Sequence, residues 1–121
     1  LRQVADTLRA SLRGHDVLGR YGGEEFALLM PGADTAAAMA GTERARLAVG
    51  ERPIEAGRIS IPVTVSAGVA VYGLDGSDWE SLLRSADAAL YEAKRSGRNQ
   101  VVAAHGPPAA RIQSTVPLPA G

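Results

Sequence analysis

Three sets of residues in this sequence could do chemistry. The first is Glu24 and Glu25, which directly follow the pair Gly22-Gly23. Carboxylate oxygens suit a hard divalent cation such as Mg²⁺, and a turn without side chains lets a phosphate approach backbone N–H groups. Adjacent strand residues point to opposite faces, so the two glutamates cannot share one buried face. The second set is Lys94 and Arg98, four positions apart near the end of a helical pattern. As structure alone, they are two cations placed at a helix's negative pole. The third is Arg13 and Asp16, opposite charges three apart. Read blandly, they are a surface ion pair of small energetic value.

The elements that must position these residues follow from pattern. Leu1 to Leu12 reads as an amphipathic helix, with Leu1, Ala5, Leu8 and Leu12 on one face, and Gly14 ends it as a C-cap glycine would. Val17-Leu18-Gly19 and Ala27-Leu28-Leu29-Met30 flank the Gly-Gly pair, which predicts a tight β-hairpin. Asp34 or Thr35 caps a helix running to about Val49, with a weak apolar face of Ala36, Met39, Ala40 and Leu47. Glu51 to Arg58 is a polar connection. Ile59 to Tyr72 alternates strictly and predicts a strand with one buried face, its regular part starting after Pro62. Ser77 and Glu80 have capping-box spacing ahead of a long helix whose apolar face is Trp79, Leu82, Leu83, Ala86, Leu90 and Ala93, ended by Gly97. Gln100 to Ala104 is a closing strand. The segment 105–121, rich in Pro and Ala, reads as a disordered tail.

Two strings carry a family resemblance. Arg20-Tyr21-Gly22-Gly23-Glu24-Glu25-Phe26 closely resembles the signature of the GGDEF domain family, the diguanylate cyclases, in the variant with Glu at the third position. Ala86 to Asn99, with Lys94, Gly97, Arg98 and Asn99, resembles the second signature of the same family. The resemblance implies condensation of two GTP into cyclic di-GMP with release of two pyrophosphates, by two domains facing each other as a homodimer. It implies that Glu24 and Glu25 bind Mg²⁺ or Mn²⁺ and serve catalysis. It further implies that Gly22 and Gly23 admit the phosphates, and that Lys94 and Arg98 grip the β- and γ-phosphates. Arg13 and Asp16 match the family's Arg-x-x-Asp inhibitory site, where product binds. Arginine can hold a phosphate or a guanine edge through paired hydrogen bonds, and Asp can accept from guanine N–H groups. Arg44 stands at a suitable offset to join them, while Ala40 stands where a further arginine would help.

The implied fold is α/β, an α+β sandwich with an antiparallel sheet and packed helices, like the ferredoxin-like palm of nucleotidyl cyclases. The resemblance covers residues 1–104, a partial GGDEF domain. A complete domain begins with a strand and a helix ahead of Leu1, which carry a metal-binding Asp and guanine-recognising groups, so the chain reads as truncated with an exposed sheet edge. A non-catalytic cyclic di-GMP-binding module, or an inactive fragment, is the alternative to the enzyme.

Composition sets outer bounds. The 121 residues suffice for one domain, and 45% apolar content fits a globular one. Thirteen basic and thirteen acidic residues cancel, so charge gives no argument for a nucleic-acid or membrane partner. No apolar run has the length of a transmembrane helix. The absence of cysteine excludes disulfide and thiol chemistry and fits a cytoplasmic protein. Lys94 is the only lysine.

Overall fold

The computed structural model describes residues 2–20 and 25–104. In chain order the elements are α1 (Arg2–Ala10), β1 (Val17–Arg20), β2 (Phe26–Leu29), α2 (Thr35–Gly50), β3 (Ile54–Ala56), β4 (Ile59–Ile61), β5 (Ala67–Val69), α3 (Trp79–Arg95) and β6 (Val101–Ala103). The strands form three two-stranded ladders: β1–β2 and β3–β4 antiparallel, β5–β6 parallel. The α/β class with antiparallel ladders and packed helices is present. The parallel pair arises because α3 returns the chain to the same end of β5, as a crossover helix does.

The core joins α1 to α2. Val4 and Leu8, one turn apart on α1, meet Ala45 and Val49, one turn apart on α2. Residues four apart share a helix face, so two short stripes suffice for this contact. Val49 is 2% exposed, and burying such a side chain contributes about 1.5–3 kcal/mol. The Gln3 side chain adds a polar tie: its Nε2 donates to Glu55 O at 3.0 Å and its Oε1 accepts from Glu55 N at 3.0 Å. One side-chain amide thus copies a ladder contact and fixes α1 to the β3–β4 hairpin.

Several expected details differ. Helix α1 ends at Ala10, where Ser11 N reaches both Thr7 O and Leu8 O and tightens the last turn; Gly14 lies beyond it. The buried face of α2 is Ala38, Gly41, Ala45 and Val49, and Leu47 is exposed. In an Ala-rich helix the burial of small residues leaves little hydropathy contrast to read. Asp34 is its N-cap, its Oδ1 accepting from Ala37 N at 2.9 Å. The polar connection after α2 contains β3, which pairs with β4. The alternating run 59–72 is therefore not one strand: β4 and β5 are separate, and 62–66 belong to no strand. Pro62 has no N–H for a ladder. The capping box of α3 is Asp78 with Ser81, one residue later than the expected Ser77 with Glu80; Asp78 Oδ1 accepts from Ser81 N at 2.8 Å.

Strand β5 lies hard against α3. A Cβ on Gly68 would run into Ala86 O and Leu90 N, so only glycine allows this approach. Among the described residues, β2 pairs only with β1, and β5 only with β6. Residues of both strands line one cleft of about 1520 Å³. No helix among the described residues is long and apolar enough to cross a membrane.

Candidate functional site

The cleft brings together residues far apart in sequence. Glu25 immediately precedes β2; Lys94 is in the last turn of α3; Arg98 is in the turn after it. All three line the cleft. Its floor is apolar, with Phe26 and Leu28 from β2, Val69 from β5, and Leu83 and Leu90 from α3. On α3, Leu83, Asp87, Leu90 and Lys94 succeed one another at spacings of four, three and four, which keeps them on one face. Asp87 therefore joins Lys94 in the cleft, a residue outside the three sets singled out by type and spacing. Its signal was its place in that stripe.

Strands β1 and β2 pair as an antiparallel hairpin, with Arg20 opposite Phe26 and Glu25 immediately before β2. Gly22, Gly23 and Glu24, with Tyr21, lie outside the described residues. Glu25 is exposed. Its carboxylate is of the right chemistry for Mg²⁺, but among the described residues no group of three or more acidic or histidine side chains could hold a metal ion.

The position of Arg98 is set by how α3 ends. Ser96 is the C-cap, Gly97 follows at φ +117°, and Arg98 N donates to Ala93 O at 2.9 Å. This is the long bond of a Schellman ending, and Gly97 takes the positive φ that such an ending needs. Arg98 and Asn99 also have positive φ, 63° and 50°. Two successive non-glycine residues in that region cost on the order of 1 kcal/mol or more each, so surrounding contacts must hold them. Asn99 N donates to Ser66 Oγ at 3.0 Å, and the Gln100 side chain donates to Ser96 O and Arg98 O. Arg46 Nη1 donates to Asn99 Oδ1 at 2.7 Å. Asn tolerates positive φ better than most residues, which was the one local hint of this turn.

Arg13 and Asp16 are close, through the backbone. Asp16 Oδ2 accepts from Arg13 N at 3.0 Å, and Asp16 N donates to Arg13 O at 2.9 Å. The carboxylate closes the turn between α1 and β1 instead of pairing with the guanidinium. Arg44, on α2, joins this corner: its Nε donates to Ser11 O at 3.2 Å. Among the described residues its Nη1 and Nη2 have no hydrogen-bond partner. None of Arg13, Asp16 and Arg44 lines the large cleft.

The cleft thus carries the carboxylates of Glu25, Asp34 and Asp87 beside the cations Lys94 and Arg98, in an α/β domain of three two-stranded ladders and three helices among the described residues. Residues 1–100 match the family described as diguanylate cyclase, GGDEF domain. The chain belongs to that family. Diguanylate cyclase A of Treponema denticola is 42% identical over 101 residues, which are 84% of this chain and 27% of that protein. Two solved structures are similar in fold. The active GGEEF domain of a diguanylate cyclase from Vibrio cholerae gives a TM-score of 0.75 at 29% identity, covering 88% of this chain and 67% of that one. The GGDEF domain of DgcB from Caulobacter crescentus, in complex with c-di-GMP, gives 0.73 at 31% identity, covering 87% and 63%. The chain spans only 14–27% of the length of five curated relatives it matches.

Proposed function

We propose that this domain condenses two GTP molecules into cyclic di-GMP. The observation that carries the reading is that Glu25, Lys94 and Arg98, far apart in sequence, all line one cleft. Two copies face each other, each holding one GTP. The ribose 3′-oxygen of one GTP attacks the α-phosphorus of the other. A phosphorus–oxygen bond forms, the bond to the β-phosphate breaks, and pyrophosphate leaves. The hydroxyl proton passes to a carboxylate of the 24–25 pair. The same step on the opposite nucleotide closes the ring. Lys94 and Arg98 hold the β- and γ-phosphates, and so carry the charge that accumulates on the leaving group. Glu24 and Glu25 would bind Mg²⁺ or Mn²⁺, which when bound neutralises phosphate charge. Gly22 and Gly23 leave room for the phosphates.

Arg13, Asp16 and Arg44 form a second site, for the product. Support comes from the Arg44 contact with Ser11 O, two residues ahead of the turn that Arg13 and Asp16 close. Occupation of that corner inhibits the enzyme. A non-catalytic cyclic di-GMP receptor using this corner alone is the second reading.

Chromatography of a GTP and Mg²⁺ incubation tests the enzyme. Cyclic di-GMP is expected from the wild-type sequence within a complete domain and not from Glu25→Ala or Lys94→Ala in the same domain. No product from the wild type, together with cyclic di-GMP binding that Arg13→Ala abolishes, would replace the enzyme reading by the receptor.

A further inference from the structure

Arg46 is a half-buried arginine on the Ala-rich helix α2, held from two sides. Its side chain is 17% exposed and makes contacts along two edges of the guanidinium. Nε donates to Glu43 Oε1 at 2.8 Å and Nη2 to Glu43 Oε2, one helical turn back. Nη1 points the other way, to Asn99 Oδ1 at 2.7 Å and Asn99 O at 3.4 Å. The pair Arg46–Asn99 spans 53 positions of sequence. It ties the middle of α2 to the turn in which Arg98 and Asn99 both hold positive φ.

We infer that Arg46 is a positioning residue: held by Glu43, it clamps Asn99 and so fixes the strained turn that presents Arg98 to the cleft. The warrant is mechanical. A backbone in a sparsely populated region persists only where its surroundings over-determine it. Here α3 supplies Ala93 O, the approach to β5 supplies Ser66 Oγ, and α2 supplies Arg46. Arg46 is the one of these three that is charged, and a hydrogen bond from an ionised donor is roughly twice as strong as a neutral one. Glu43 occupies the opposite edge, which sets the guanidinium plane and leaves Nη1 one direction to face. Lysine has no such planar fork and cannot make the paired contact with both Glu43 oxygens while holding a separate edge toward Asn99.

The inference rests on the reading of Arg98 as a phosphate ligand, and two measurements on the full chain separate the two claims. The first is amide hydrogen exchange. In Arg46→Met, the Arg98 amide is expected to exchange about tenfold or more faster, the scale of one lost charge-assisted hydrogen bond, while the Leu90 amide inside α3 keeps its protection. Unchanged exchange at Arg98 overturns the clamp, whatever the protein binds. The second is titration with GTP and Mg²⁺. Arg46→Met is expected to weaken binding about tenfold when Arg98 is present and to add nothing in the Arg98→Ala background. Equal weakening in both backgrounds overturns an action through Arg98. Wild-type binding by Arg98→Ala refutes the phosphate reading alone, and the exchange result still decides the clamp. Arg46→Lys is expected to fall between wild type and Arg46→Met; full wild-type behaviour would overturn the role of the forked geometry.

Discussion

Arg46 Nη1 lies 2.7 Å from Asn99 Oδ1, joining the middle of α2 to the turn that follows α3. The same helix carries Arg44, whose Nε reaches Ser11 O at the corner of the Arg13–Asp16 turn. One rigid helix therefore touches both the proposed product corner and the proposed phosphate turn, through arginines two positions apart.

The Glu43–Arg46 pair makes this link sensitive to acid. The hydrogen bond from Arg46 holds the Glu43 carboxyl below its ordinary value, outweighing the opposing effect of partial burial. A carboxylate whose folded pKa is lowered adds stability that is complete above its unfolded pKa and is lost as pH falls through the folded value. Protection of the Asn99 amide is therefore expected to be flat above the ordinary glutamate range and to fall below it. Glu43→Gln should remove that acid dependence. A profile that is the same with and without the carboxylate would contradict the coupling.

Gly68→Ala tests the packing of β5 on α3. Its methyl group would meet Ala86 O and Leu90 N, both backbone atoms that cannot turn aside. The substitution is expected to destabilise the domain by about 1–3 kcal/mol, which for a domain of this size lowers the melting temperature by about 5 °C or more. Thermal denaturation followed by circular dichroism measures it. An unchanged melting temperature would mean that β5 stands farther from α3.

The product corner should respond separately from the cleft. Arg13→Ala and Arg44→Ala are each expected to weaken cyclic di-GMP about tenfold or more, as losing a charge-assisted contact does. Lys94→Ala should leave that affinity within about twofold, because Lys94 lines the cleft and none of Arg13, Asp16 and Arg44 does, and interactions between exposed charges are weakened by salt. Calorimetric titration of the three variants decides it. Parallel losses in all three would merge the two sites into one.

Local pattern made some of this protein legible and left the rest hidden. The β1–β2 hairpin and α3 with its glycine ending follow from short-range chemistry: two apolar runs about a turn, and a periodic helix stopped by Gly97. The run 59–72 misled because its alternation continues across Pro62 and across a break between β4 and β5, and alternation reports faces without reporting partners. The face of α2 is hidden from pattern because its buried residues are mostly alanine and glycine, while Leu47 is exposed. In the site, Lys94 and Arg98 came from a motif. The cleft that unites them with Glu25, and the Arg46–Asn99 contact, depend on tertiary packing that no local spacing encodes. Arg46 could be seen in sequence only as half of an ordinary pair with Glu43.

The most direct measurement is the affinity of the chain for GTP with Mg²⁺, by isothermal titration, for the wild type and for Lys94→Ala/Arg98→Ala. Two charge-assisted phosphate contacts at about 1.5–3 kcal/mol each predict a loss of about a hundredfold or more. Equal affinity in wild type and double variant would contradict the claim that this cleft is where the nucleotide's phosphates are held.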